Sequence, residues 1–263
     1  MSCLKSLGLT VGILASTVSG SIELLSASSA TAVPPQLVSL SFPDSPGGSG
    51  PGRTAGGGAR GDCIVEKDGS PQMTVLMPSN NVGTTVSPDP ALFLYIPAIR
   101  SKKSLLVSQG AEVSVVDREG NEVYFEKIAL PNRLTDPASS DTAVIVRLSL
   151  EGANLKRDRA YDWTFAPFCV TEGELEPSYA EILEGTLERK NLTPSQQEEL
   201  KQARTPFERA STYAKAGIWH EALMILAELR ADNPADWEAF LASVQLQELA
   251  QTPIYDVSPV AEP

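Results

Sequence analysis

The sequence predicts an α+β protein: an antiparallel β-sandwich of immunoglobulin-like type, followed by a small C-terminal helical bundle or hairpin. Three observations carry this. Apolar residues alternate with period two, in short runs separated by turn signals, from about Gln72 to Cys169. No helical pattern intervenes between those runs, which favours an antiparallel sandwich over a parallel sheet. Beyond Ser178 the apolar period becomes that of a helix.

In chain order, Lys5 precedes an apolar stretch from Leu7 to Val18, and Ala30-Thr31-Ala32 follows. A run of about a dozen apolar residues falls short of the ~20 that a spanning helix needs. One basic residue before it and small residues after it predict a secretory signal over residues 1–32, cut after Ala32. Retention as an uncleaved anchor is the alternative. Residues 33–59 hold 7 Gly and 5 Pro among 27 positions, the composition of a disordered, exposed linker. The chain therefore reads as extracytoplasmic, either periplasmic or secreted. No other apolar run approaches spanning length, so no stable membrane insertion is expected once the signal is removed.

The β-sandwich domain is placed at residues 60–185. Strands are expected at Gln72 to Met77 and at Ala91 to Ile96, the latter ended by Pro97. Ala111 to Asp117 and Glu122 to Ala129 flank Arg118-Glu119-Gly120-Asn121 and read as a hairpin. Thr142 to Leu150 and Ala160 to Phe168 complete the set. In the last of these Tyr161, Trp163 and Phe165 share a face, and the alternation runs on through Pro167 to Cys169. Leu155 before Tyr161 resembles a tyrosine corner, in which a Tyr hydroxyl ties down a crossing loop. Cys3 leaves with the signal; Cys63 and Cys169 remain, and an even count in an exported chain predicts one disulfide between them. Two separately buried thiols are the alternative.

The helical region is placed at residues 186–250, with 251–263 as a disordered tail. Thr193-Pro194-Ser195-Gln196 and Thr205-Pro206-Phe207-Glu208 each combine a cap, a first-turn proline and a Gln or Glu three residues after the cap. Asn233-Pro234-Ala235-Asp236 is a looser version. Trp219, Ala222, Leu223, Leu226 and Leu229 form one apolar stripe, and Trp237, Phe240, Leu241 and Val244 another. Helices at about 194–203, 206–216, 219–231 and 235–250 follow.

The formal charge of −12 is unevenly divided. Residues 33–171 hold 13 Lys+Arg against 15 Asp+Glu, whereas residues 172–263 hold 7 against 17. So acidic a half argues against nucleic acid or an anionic membrane surface, both of which require positive charge on the protein.

Two resemblances have their residues in this reading. Gly217-Ile218-Trp219-His220-Glu221-Ala222-Leu223, closing at Asn233-Pro234 with Ala210 and Tyr213 before it, resembles the turn and second helix of a tetratricopeptide repeat. One repeat cannot bury its own faces, so the hairpin must pack on the sandwich or on a partner. The mature chain as a whole resembles a cyanobacterial family of exported proteins, the domain-of-unknown-function family numbered 928. The residues that carry this are Gly56-Gly57-Gly58-Ala59-Arg60-Gly61-Asp62-Cys63, Leu92-Phe93-Leu94-Tyr95-Ile96-Pro97, Asp117-Arg118-Glu119-Gly120, Tyr161-Asp162-Trp163-Thr164-Phe165 and Tyr213-Ala214-Lys215-Ala216-Gly217-Ile218-Trp219. The resemblance implies an extracytoplasmic location and no agreed biochemical role.

The residues point away from catalysis. His220 is the sole histidine; between Trp219 and Glu221 it reads as a surface residue rather than the base of a Ser or Cys nucleophile. Glu198-Glu199 is expected on an exposed helix and lacks the pocket signature of a two-carboxylate hydrolase, whose pair is assembled in space. The Gly56-Gly57-Gly58 run lacks the Lys-Ser/Thr ending of a phosphate loop, and for Arg60-Gly61-Asp62 the resemblance to the 928 family implies a tight turn at Gly61 rather than a receptor tripeptide. No catalytic residue, cofactor or metal ligand is expected. The expected role is a non-catalytic, structural or protein-interaction module with a protein partner in the cell envelope, its candidate surface at Trp219, His220 and Trp237. The alternative is a polysaccharide- or ligand-binding sandwich that uses exposed aromatics; an envelope hydrolase is the third class.

Overall fold

The computed structural model describes residues 40–43, 65–66, 71–97, 99–100, 106–130, 142–171 and 176–257, all within the compact unit Val38–Pro263. The signal, most of the linker, Cys63 and Arg60-Gly61-Asp62 lie outside the described residues.

The described strands are β1 (Val65–Glu66), β2 (Thr74–Val75), β3 (Val82–Thr85), β4 (Ala91–Ile96), β5 (Ile99–Arg100), β6 (Leu106–Asp117), β7 (Glu122–Ala129), β8 (Val144–Ser149), β9 (Arg159–Thr171), β10 (Ser178–Tyr179), β11 (Leu183–Arg189) and β12 (Ile254–Val257). One sheet runs β3-β11-β9-β6-β7, with β10 also on β9; a second runs β12-β8-β4-β2; β1 and β5 pair separately. The helices α1 (Pro194–Gln202), α2 (Pro206–Lys215), α3 (Trp219–Leu229) and α4 (Pro234–Ala242) lie between β11 and β12. The result is a sandwich-like β body with its helices toward the C-terminus.

The strongest sequence signals produce the strands they announce. Alternation in β9 buries Tyr161, Trp163, Phe165 and Cys169, facing the interior with Val113 and Val115 of β6. From the other sheet, Leu92 and Leu94 of β4 and Val146 and Leu148 of β8 occupy the opposite wall. Gly185 of β11 pairs with Trp163, and a Cβ there would lie 2.8 Å from the indole Cζ2. Glycine at that position makes room for the largest side chain of the core. In the β6–β7 turn the Asp117 carboxylate accepts from the backbone of Glu119 and Asn121. Those bonds and the Asn121 side chain hold its pKa below the usual carboxylate range. Gly120 takes φ +84° in that turn, which glycine adopts without a Cβ clash. Tyr161 Oη accepts from Lys156 N at 2.8 Å, the upstream tie that Leu155 and Tyr161 suggest.

Two strand pairs are parallel, β3 with β11 and β8 with β12, so the sandwich is not purely antiparallel. β3, β11 and β12 are strands that periodicity does not announce. β12 corrects the assignment of residues 251–263 to a disordered tail: Ile254–Val257 is paired along β8, where the Arg147 side chain clasps Asp256. β11 extends across the expected domain boundary at 185, so the helical region begins at Pro194. The linker is corrected as well. Leu40 and Phe42, inside the span expected to be exposed, are buried.

The helices follow their caps. Thr193 and Thr205 form complete capping boxes with Gln196 and Glu208, and the Glu208 carboxylate is held below its ordinary pKa chiefly by the Arg204 and Thr205 backbone N–H groups. Asn233 makes no side-chain cap. Between α2 and α3, Gly217 takes φ +70°; its N–H reaches Ala214 O and that of Ile218 reaches Tyr213 O. This is the paired bond pattern of a Schellman turn. The final expected helix ends at Ala242 and is followed by a 3-10 turn at Gln247–Leu249.

Candidate functional site

The residues expected to form an interaction surface are interior. Trp219 and Trp237 are essentially inaccessible and His220 is 4% exposed. The apolar stripe of α3 turns onto the sandwich, and the first turn of that helix becomes the fastening.

Three consecutive residues make that attachment. Trp219 N donates to Thr84 Oγ1 at 3.0 Å and its indole N–H to Leu76 O at 2.9 Å; Thr84 Oγ1 in turn donates to Gly217 O. His220 Nδ1 lies 2.9 Å from Ala91 O, and since a carbonyl only accepts, Nδ1 carries the proton. Nε2 is buried without a hydrogen-bond partner among the described residues and faces Gly83, where an added Cβ would collide with it. Burial pushes the His220 pKa down, against an opposing pull from Glu221. Glu221 Oε1 accepts from Thr85 Oγ1 at 2.7 Å and from the Val86 and Ser87 N–H groups, both at 2.9 Å. Behind this row, Trp219 stacks on Phe240 with centroids 4.8 Å apart. Phe42 packs edge-on against Trp219 at 5.0 Å, and its N–H reaches Ser243 Oγ. Trp237 donates to Ala250 O at 2.9 Å.

A cleft of about 260 Å³ opens beside this seam, between the β3–β4 connection and the outer sides of α2 and α3. Ser87, Asp89, Pro90, Arg209, Tyr213, Glu221, Met224 and Ile225 are among its lining residues. A second hollow, about 450 Å³, lies among Asp158, Arg159, Glu188, Lys190 and Asn191, several of which pair with one another. No group of three or more His, Cys, Asp or Glu is placed to hold a metal among the described residues.

The outer face of the β3-β11-β9-β6-β7 sheet has a different character. Phe125 is 44% exposed, Tyr179 37% and Ile182 50%. Register puts them on the same face, with Phe125 on β7 three strand steps from Tyr179 on β10. Phe125 aligns with Ser114 and Thr164, and Tyr179 with Phe168, whose neighbour across the next pair is Gly110. Ile182 precedes Leu183, which pairs with Phe165 on the inner face. Phe168 and Tyr179 meet edge-on at 5.9 Å, and a Glu112–Lys127 ion pair of 2.8 Å crosses between them and Phe125. Burial and the Glu112 carboxylate raise the Tyr179 pKa. The strand aromatics Tyr95, Tyr124 and Trp163 are all buried. Adjacent aromatics such as Tyr124-Phe125 leave the phase of the alternation open, and only the neighbouring strand decides which of the two is outside.

A family model for the Domain of Unknown Function DUF928 matches residues 55–254. The chain belongs to that family. The match begins at the glycine run before Cys63 and ends at the start of β12, so the family region of this DUF928 chain holds the helices between β11 and β12 and every described strand but the last three residues of β12. No curated protein matches it.

Proposed function

We propose that this DUF928 protein is a non-catalytic, exported component of the cell envelope that works as a protein-interaction module. The observation that carries the reading is the outward exposure of Phe125, Tyr179 and Ile182 on one sheet face. Large apolar side chains set outward on one face supply surface that a partner can bury. The tetratricopeptide-like hairpin and the immunoglobulin-like label belong to the same reading, but the hairpin serves as an internal clamp, and the partner face passes from the helices to the sheet. The non-catalytic part is supported by His220, whose Nδ1 is tied to Ala91 O and whose Nε2 is buried against Gly83.

A photo-crosslinker in place of Ile182 should capture one envelope protein, and Phe125→Ser with Tyr179→Ser should abolish that capture. Equal capture by the double variant would refute the assignment of the face. A polysaccharide partner is the second reading, favoured by the Phe168–Tyr179 pair beside Glu112 and Thr164, which could stack on and hydrogen-bond to a sugar. Retention on an immobilised envelope glycan, lost in the same double variant, would select it.

Export with cleavage after Ala32 and a Cys63–Cys169 disulfide complete the proposal. Mass spectrometry of unreduced protein from the native envelope should find a chain beginning at Val33 and a linked Cys63–Cys169 peptide pair. A chain retaining Met1, or two freely alkylated thiols, would remove the corresponding claim.

A further inference from the structure

Two charged side chains at the seam cleft keep hydrogen-bonding capacity that the protein itself does not use. Glu221 engages one carboxylate oxygen with three donors, as described above. Its Oε2 is buried and has no donor among the described residues. A carboxylate oxygen withdrawn from water without a donor is unfavourable unless something supplies one. Across the cleft, Arg209 is exposed and forms no ion pair among the described residues. Asp89, the other acid of the lining, already accepts from Gly152 N and Asn154 N. The wall between the charges is apolar. Tyr213 follows Arg209 by four residues on α2, while Met224 and Ile225 follow Glu221 by three and four on α3, so each helix presents its contribution on a single face.

We propose that this cleft binds a free α-amino acid of apolar side chain as a zwitterion. Its ammonium group donates to Glu221 Oε2, its carboxylate pairs with the Arg209 guanidinium, and its side chain lies against Tyr213, Met224 and Ile225. A volume of about 260 Å³ is below the range usual for drug-sized ligands and suits a small metabolite. Charge of both signs around an apolar wall fits a zwitterion better than a simple amine or a simple acid. The site is independent of the partner face on the sheet.

Calorimetric titration of the full chain with the proteinogenic L-amino acids, one at a time, tests this. At least one apolar member should bind saturably. Glu221→Gln should weaken it about tenfold or more while leaving the melting temperature close to wild type, because the amide oxygen can still accept from Thr85, Val86 and Ser87. Arg209→Ala, at an exposed position, should weaken it similarly and is informative even if the first variant misfolds. The amide of the same amino acid, which lacks the carboxylate, should bind less well to wild type and equally to both wild type and Arg209→Ala. Binding by none of the amino acids would overturn the proposal and leave a cleft filled by water. Undiminished binding of the amide would also overturn it, making the site one for a cationic amine.

Discussion

The two sheets begin from the same kind of apolar strand and end with opposite outer faces. In β4 all six residues, Ala91 to Ile96, are buried, because the face away from the sandwich is turned to α3. Arg147, beside Phe93 in the register, reaches Met224 Sδ at 3.4 Å and Glu228 at 3.8 Å of that helix. β7 alternates instead, burying Tyr124 and Ile128 and leaving Phe125 exposed. A sheet covered on both sides reads as a continuous apolar run, and one covered on a single side reads as alternation. What separates β7 from an ordinary half-exposed strand is that its outward set, with Tyr179 and Ile182, includes large apolar groups. One face has found its cover within the chain, and the other still presents apolar surface.

The heaviest test of this contrast removes the cover. Trp219→Ala deletes a buried indole, two hydrogen bonds of the seam if the turn shifts, and the stacking on Phe240; a loss of about 3–5 kcal/mol is expected. Denaturant unfolding should show the β and helical signals falling together. Residues 186–263 as a separate fragment should be poorly folded, since their apolar stripe would have nothing to cover. A cooperative melt of that fragment at the temperature of the whole chain would show that the helices do not depend on the sheet.

Gly83→Ala sharpens the same point at one contact. The added methyl meets His220 Nε2, and a cost of about 1–3 kcal/mol is expected from overpacking. His220→Ala should relieve part of it, so the two changes should be less than additive in a double-mutant cycle.

His220 also makes the covered side sensitive to pH. Its pKa is depressed in the folded state, so the unfolded chain takes up the proton first. The stability attached to the neutral imidazole is therefore complete above the unfolded value near 6.5 and is lost as pH falls below it, with a slope of up to about 1.4 kcal/mol per pH unit. Glu221, directly beside it, opposes that shift. Denaturation midpoints measured from pH 7.5 to 5 should fall for wild type and flatten over that window for His220→Gln.

The smallest expected effect is on the uncovered side. Phe125→Ser should change stability by less than about 0.5 kcal/mol, though it deletes a large aromatic. A loss several times greater would mean that the face is covered after all and would break the comparison.

Much of this was legible from residues. Ala91 to Ile96 and Glu122 to Ala129 are strands with the expected bounds, and two Thr-Pro capping boxes start helices at the expected positions. β3 and β11 were hidden because their inward positions include Gly83, Thr85 and Gly185, small residues chosen by Trp163 and His220 lying against them rather than by any periodic rule. β12, with Tyr255 and Asp256, is polar enough to pass for a tail; its strand character comes from β8 and Arg147. The seam was misread for a related reason. His220 and Glu221 look like a solvated pair at a helix start, and only tertiary placement supplies Ala91 O and the Val86 and Ser87 N–H groups. The apolar patch of the other sheet depends on which of two adjacent aromatics faces inward, which is a property of strand pairing.

The bond from Phe42 N to Ser243 Oγ joins residues 201 positions apart, and β12 closes on β8 only when Ile254–Val257 arrives. Contacts of such sequence separation form slowly and late. A chain that becomes available from its N-terminus would therefore hold Phe42 unplaced and the β8 edge open until Ser243 and then Ile254–Val257 arrive. Truncation anywhere before β12 leaves the β8 edge open for good, so the last strand acts as the point of commitment in folding.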